Sequence, residues 1–496
     1  RVINLGGRSL WYDEAFAVLF SEKGLDAMLS GTLTPVAGGA SDIHPLLYYS
    51  TLNAWMIAFG ESPFAVRFLS VVLGVATVAI IYGLTRELFG EKTALAVALI
   101  TAIAPFHVQY SQETRMYALL GLLLSLATWC FVKGWRGKSW RWWIAFGILA
   151  GLAMYTQQLA AFYLVALGLV PIIARRKDQL IRVSVGAVVA IVIYLPWLVN
   201  LPGQLEKVRS YYWLSPPNIA KPIGTMYSFL VVNLDIPAPY STIGFLGSLF
   251  LILFLTVQVI LYLRRRVRSD RKPLLFVLWL AVLPVALMWL VSQVQPVYLE
   301  RALLPSALML YLALGWLLTR SGLPRPIVGV LAAIGLVMVG IGLYHQYTIA
   351  TFPNSPFQTA VAYIRDNWQD GDVIVHQNKL SALPTVYYAR DLNQRFLGDL
   401  PGSSEDTLAL PTQQALGLLA DACVQLAGRG AQRIWWVTFD FVEAQYKGSN
   451  RLEELQQSLD WLDEHYARSD EQHFNDLDLV LYTDPQGDLK GDCTPS

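Results

Sequence analysis

Charged residues are scarce in this chain. Asp, Glu, Lys and Arg together make up 15% of its 496 residues, where a soluble globular domain carries about 25%. Apolar residues rise to 55% in their place. That balance excludes a disordered chain, a basic nucleic-acid-binding protein and an ordinary cytosolic enzyme. Cysteine is nearly absent, with three residues in all. No Cys-x-x-Cys and no Cys/His cluster occurs, which argues against a structural zinc site. Cys130 lies in an apolar run and reads as a small buried hydrophobe. Cys423 and Cys493 fall in an acidic segment and are free to pair only if that segment is exported. No glycine-rich phosphate loop follows a strand pattern, so no nucleotide site is expected. The chain opens on Arg1 rather than Met, and a signal peptide is neither recognised nor excluded.

The net charge of +1 conceals a division. Residues 1–349 hold 27 Lys and Arg against 14 Asp and Glu, whereas residues 350–496 hold 10 against 22. Opposite charge and different hydropathy imply two domains. The first, 1–349, reads as a multi-span α-helical membrane domain, and the second, 350–496, as a soluble acidic α/β domain.

A helix that crosses a bilayer needs about 20 mostly apolar residues. Ten such spans are expected, at roughly 64–85, 93–110, 116–132, 141–155, 157–174, 180–200, 240–263, 273–293, 303–319 and 325–345. Alternate connections carry the basic residues: 86/92, 133–141, 175–182, 264–272 and 320/325 hold 18 Lys and Arg. The connections between these sets hold five: Arg115, Lys207, Arg209, Lys221 and Arg301. Lys and Arg mark the cytoplasmic side. The phase therefore puts the first loop (1–63), 107–115, 201–239, 294–302 and the tail outside a cell inner (plasma) membrane. It stays in register only if the chain reverses near Thr156, and it calls for one further span before Arg1, eleven in all. In the tail, 355–368, 410–428 and 452–466 read as helices, and 373–375, 433–439 and 477–482 as strands.

The outer segments hold unusual polar runs. Trp11-Tyr12-Asp13-Glu14 sets two carboxylates at the start of a helical stretch. Such a site keeps a carboxylate ionised, and capping by Asp13 is the alternative to chemistry. His44-Pro45 opens the amphipathic run 46–59, which is too short to span and suits the membrane interface. His44 there reads as a turn residue, a metal ligand or a proton relay. His107 to Tyr117 includes Glu113 and Arg115, either bound to something or, for Arg115, snorkelling to headgroups. Tyr298-Leu-Glu300-Arg301 precedes a span, and the Arg301 guanidinium suits a phosphate or a carboxylate. Tyr211-Tyr212-Trp213 reads as an interfacial belt or a sugar-stacking lid.

Together the Trp-Tyr-Asp13-Glu14 loop, His44-Pro-Leu-Leu-Tyr-Tyr, the run Tyr110 to Tyr117 and Arg301 before Leu-Leu-Pro305 resemble one family. It is the bacterial glycosyltransferase family 39 group of the GT-C superfamily, which includes protein O-mannosyltransferases and the aminoarabinose transferase of lipid A. The likeness runs from residue 8 to about 320. It implies a polyprenyl-phosphate sugar as donor and, as acceptor, a protein, glycolipid or glycan hydroxyl on the outer face, with membrane lipids as surroundings and no nucleic acid. It places the catalytic carboxylate on Asp13, with Glu14 beside it. The donor phosphate falls to Arg301, with Arg115 as second candidate, and substrate contacts to Tyr12, His44, Glu113, Tyr117, Tyr298 and Glu300. A divalent metal serves one branch, but its second loop carboxylate has no clean match here; Asp42 stands nearest, so metal use stays open. The rival reading is a non-enzymatic lipid or glycan transporter or flippase. Against it, charged residues cluster at the outer ends of the spans and are nearly absent from their middles.

Overall fold

A computed structural model describes residues 1–36, 39–211, 214–264, 269–399, 408–486 and 493. Tyr212, Trp213, Arg265, Arg266 and Arg268 of the sequence argument lie outside the described residues.

Three helices precede the apolar bundle: α1 (Tyr12–Ser21), α2 (Gly24–Leu33) and α3 (Leu47–Phe59). A two-stranded ribbon, β1 (Pro35–Val36) and β2 (Gly39–Ala40), lies between α2 and α3. α3 buries Tyr48, Tyr49, Leu52 and Met56 and leaves Ile57 and Phe59 exposed, as an interfacial helix requires. The bundle follows as α4 (Pro63–Phe89), α5 (Glu91–Ile103), α6 (Pro105–Tyr110), α7 (Tyr117–Arg136), α8 (Arg141–Thr156), α9 (Ala160–Ile173) and α10 (Lys177–Leu198). α11 (Leu201–Tyr211) and α12 (Lys221–Leu230) are short, and α13 (Tyr240–Arg264), α14 (Arg271–Val291), α15 (Leu304–Arg320) and α16 (Arg325–Thr348) complete it.

Helices occupy all ten segments read as spans, the second being broken at Pro105 into α5 and α6. Seven are long and apolar enough to cross a membrane. The others are shorter: the 16 residues of α8 rise about 24 Å against a hydrocarbon core of roughly 30 Å. The basic connections gather at one end of the bundle. There Glu87 of α4 meets Lys133 of α7 (2.7 Å), Arg182 of α10 donates to the Gly137 carbonyl (3.1 Å), and Asp270 before α14 grips Arg320 of α15 (2.5 Å).

The tail forms a six-stranded sheet in the order β5-β4-β3-β6-β8-β7. Its strands are β3 (Asp372–His376), β4 (Gln394–Leu397), β5 (Ala420–Asp421), β6 (Arg433–Phe439), β7 (Ala467–Phe474) and β8 (Leu477–Thr483). The first four are parallel, and β8 runs antiparallel to β6 and β7. Helix α17 (Phe357–Asp366) leads into β3, and α18 (Lys379–Tyr388), α19 (Leu410–Leu416), α20 (Val424–Ala427), α21 (Val442–Tyr446) and α22 (Asn450–His465) lie between the later strands. The single helix expected over 410–428 is instead α19, β5 and α20. Gly417 at φ 73° ends α19 in the left-handed conformation open to glycine, and the chain leaves it as a strand. Cys423 and Cys493 form a disulfide.

The tail rests on the first loop. The Leu10 N–H donates to the Tyr388 hydroxyl (2.8 Å), the Gln358 N–H to Ser9 Oγ (3.0 Å) and the Thr412 hydroxyl to the Gly31 carbonyl (2.8 Å). Arg390 pairs with Glu22 at 2.8 Å.

Candidate active site

Trp11 occupies the extended N-cap position of α1, so Asp13 and Glu14 stand in the first turn and Asp13 does not cap the helix. Consecutive residues on a helix point about 100° apart. The two carboxylates consequently go to different places.

Glu14 turns inward and is 1% exposed. Arg67 of α4 grips both its oxygens, Nε to Oε1 at 2.8 Å and Nη2 to Oε2 at 2.5 Å, and the Thr114 N–H adds a bond at 2.9 Å. The same guanidinium donates to the carbonyls of Leu5, Arg8 and Ser9. Glu14, expected to be catalytic beside Asp13, does not line the cavity that Asp13 faces. With both oxygens occupied and no water contact, it ties α1, α4 and the 111–116 loop together.

Asp13 turns the other way, into a cavity of about 1280 Å³. Its Oδ2 accepts from Arg301 Nη1 at 2.8 Å, and Arg115 Nε lies 3.7 Å away. Arg115 also donates to the Asp13 carbonyl (3.3 Å) and the Tyr49 hydroxyl (3.4 Å). The Arg301 guanidinium sits over the rings of Trp11 (5.7 Å) and Tyr117 (5.2 Å), which hold it without consuming its donors. The Nε atoms of both arginines are buried with no hydrogen-bond partner among the described residues. Burial pushes the Asp13 carboxyl up, but Arg115, Arg301 and His44 outweigh it and hold it below its ordinary value.

Glu113 lines the same cavity, with Oε1 4.0 Å from Arg301 Nη1. For this carboxyl burial wins. It is pushed up to about 8 against the pull of Arg301, and Glu14 and Asp13 add to the rise. Two carboxyls in one cavity thus differ in protonation near neutrality, Asp13 charged and Glu113 neutral. A folded-state pKa above the ordinary 4.5 favours folding in full below the unfolded value, and the gain is lost as pH rises through about 8. Thermal stability should therefore decline between these limits, and Glu113→Gln should flatten that part of the profile. An unchanged slope in the variant would assign the decline to another group.

The α4 helix positions the 111–116 loop. Ser70 donates to the Glu113 carbonyl (2.7 Å), and Gly74 packs so closely that an added Cβ would stand 2.2 Å from Ser111 Oγ. On the other wall, Tyr298 and Thr225 share a hydroxyl bond of 2.7 Å, and Glu300 pairs with Lys221 at 3.1 Å. Tyr12, His44, Tyr117, Tyr298 and Glu300 all line the cavity, so of the ten residues singled out in the sequence only Glu14 stands apart. Four of the five basic residues of the sparsely charged connections line it too: Arg115, Lys207, Lys221 and Arg301. Lys207 and Lys221 could have been promoted on that rarity alone. The tail's contribution, which includes Lys379, Asp399 and Arg451, had no signal in the sequence.

Asp42 is held within its own turn. Its Oδ1 accepts from the Ile43 and His44 N–H groups and lies 2.8 Å from His44 Nδ1. Among the described residues no three His, Cys, Asp or Glu side chains come together to hold a metal ion. The reaction proposed below routes no step through one.

Residues 43–199 match the family model described as dolichyl-phosphate-mannose-protein mannosyltransferase. The chain is 25% identical over 338 residues to an undecaprenyl phosphate-α-4-amino-4-deoxy-L-arabinose arabinosyl transferase of Pseudomonas fluorescens, a match covering 62% of this chain and 58% of that protein. It is 26% identical over 183 residues to a Bacillus subtilis protein named as a putative mannosyltransferase, YkcB, covering 35% of this chain and 25% of that one. The chain thus spans a quarter to somewhat over half of these relatives. Among solved structures, ArnT from Cupriavidus metallidurans bound to undecaprenyl phosphate superposes with a TM-score of 0.62 at 14% identity, covering 99% of this chain and 97% of that one. The match runs through the tail as well as the bundle, and among the described residues seven helices are long and apolar enough to cross a bilayer. The chain is thus a multi-pass membrane protein that shares the fold of the ArnT structure.

Proposed function

We propose that the chain transfers a sugar from a polyprenyl-phosphate donor to an acceptor hydroxyl on the outer face of the membrane, with inversion at the anomeric carbon. The observation that carries this reading is the ionised Asp13 held between Arg301 and Arg115 on the wall of a large cavity. Asp13 takes the proton of the acceptor hydroxyl as its oxygen attacks the anomeric carbon. The bond from that carbon to the phosphate oxygen breaks, and the lipid phosphate leaves as an anion. Arg301 and Arg115 neutralise the charge that develops on it, the kind of preorganised electrostatics that usually contributes most to catalysis. Glu113, neutral near pH 7, can donate a hydrogen bond to the donor without repelling its phosphate. Tyr12, His44, Tyr117, Tyr298 and Glu300 shape the substrate contacts. The printed ligand of the ArnT neighbour, undecaprenyl phosphate, and the arabinosyl transferase relative support a donor of this class.

Two observations support an inner-membrane orientation with the tail outside. The basic connections share one end of the bundle, as cytoplasmic ends do. The Cys423–Cys493 disulfide suits an oxidising compartment. In intact cells a membrane-impermeant thiol-reactive polymer should therefore leave both cysteines unlabelled until a reductant is added and label them afterwards; no labelling even after reduction would overturn the orientation.

The activity is tested by release of polyprenyl phosphate from labelled polyprenyl-phosphate sugars, with the protein in native membrane lipid. Release that depends on Asp13 supports the reading. No release from any donor in the presence of endogenous acceptors would count against it.

A further inference from the structure

The cavity that Asp13 lines is walled by both the bundle and the tail. The bundle contributes α12 and the 214–218 and 232–235 segments. The tail contributes the starts of α18 and α22 and the turn after β4. We propose that this tail wall is the acceptor subsite and that it binds the hydroxyl-rich sugars of a glycan. The proposal rests on the glycosyl-transfer reading above and gives that reaction its acceptor class.

The composition of the wall points to sugars. Among the described residues its charged groups are Lys379, Asp399, Arg451 and Glu454, two of each sign, so these present no net charge for an anionic acceptor to seek. Asn378, Gln445 and Ser458 stand among them, groups that both donate and accept, as each sugar hydroxyl does. The wall is also built rather than incidental. Lys379 is paired with Asp399, Asn378 accepts from the Leu380 N–H (2.9 Å) and donates to the Tyr446 hydroxyl (3.0 Å), and the Arg451 guanidinium lies 5.0 Å over the Tyr446 ring. Tyr12 joins the two regions: it lines the cavity beside Asp13, and its hydroxyl feels both Asp13 and Asp399. An extended peptide would find less here. Peptides commonly add to a sheet edge, and no residue of the edge strands β5 and β7 lines the cavity.

The test uses the full chain in lipid nanodiscs, probed with a printed array of neutral oligosaccharides, with Ser/Thr peptides and, separately, with labelled undecaprenyl phosphate. Arg451→Ala and Glu454→Ala are compared with Gln456→Ala, an exposed position of α22 outside the cavity. Wild type and Gln456→Ala should retain oligosaccharides. Arg451→Ala and Glu454→Ala should bind them about tenfold or more weakly, the cost of a hydrogen bond to a charged group, with undecaprenyl phosphate affinity and melting temperature unchanged. Glycan binding equal in all four proteins would overturn the placement. Retention of peptides in place of oligosaccharides, lost in the same variants, would overturn the acceptor class. No oligosaccharide bound while undecaprenyl phosphate binds would overturn the subsite but leave the donor reading standing. Failure of the wild type to bind undecaprenyl phosphate would instead overturn the donor reading, and the inference with it.

Discussion

Asp13→Asn is expected to lower turnover by about 10²–10⁴-fold, the usual contribution of a positioned general base, while folding is retained. Asparagine has the same shape, and its amide oxygen can still accept from Arg301, which now bonds Oδ2 at 2.8 Å. It cannot take a proton. The substitution also removes the negative charge that shares Arg301 and Arg115 with an incoming phosphate. Undecaprenyl phosphate should therefore bind the variant at least as tightly as wild type. Loss of polyprenyl phosphate release with binding preserved is the expected pair of results. Turnover at the wild-type rate would remove Asp13 from the base role, and loss of both properties would make it structural.

The neighbouring carboxylate should behave in the opposite way. Glu14→Ala is expected to destabilise the protein by about 3–5 kcal/mol, the cost of stripping one partner from a buried ion pair. Arg67, 2% exposed, would stay buried with its charge uncompensated. Three carbonyls would still hold it, so it could not swing out to water without leaving Leu5, Arg8 and Ser9 unsatisfied. Thr114 would lose the acceptor for its N–H as well. Cys130 is the free thiol among the described residues and is buried, so its reaction with a thiol-activated dye on heating reports unfolding. Glu14→Ala should shift that transition to markedly lower temperature, and Asp13→Asn should not. Equal shifts would mean the two carboxylates do not divide the work.

Much of the architecture was legible in the sequence because a bilayer imposes a strong one-dimensional code. Spanning helices must be long and apolar, and Lys and Arg collect on one side. Those constraints act on each segment separately, so no tertiary knowledge is needed to read them. The tail is less legible. RIWWVTF at Arg433–Phe439 announces a buried strand and is β6. β7 does not announce itself, because ARSDEQHF is an edge strand whose polar residues face water. The 410–428 region was misread because its apolar residues fit a helical period, and the period cannot report that Gly417 ends it.

The candidate site divides along the same line. Sequence alone singled out Asp13 and Glu14 in the first loop, and Glu113, Arg115 and Arg301 beside the ends of spans, as charged residues worth explaining. Tertiary structure alone decided what each meets. Adjacent helical residues point apart, so Glu14 meets Arg67, 53 positions away, while Asp13 meets Arg301, 288 positions away. Burial outweighs the pull of Arg301 on Glu113 and pushes its carboxyl up to about 8, whereas Asp13 is held below its ordinary value by Arg115 and Arg301. The docking of the tail on the first loop brought its polar wall to the same cavity. Each of these outcomes depends on distances between residues far apart in the chain, and a pattern of neighbours along the chain carries no such distances.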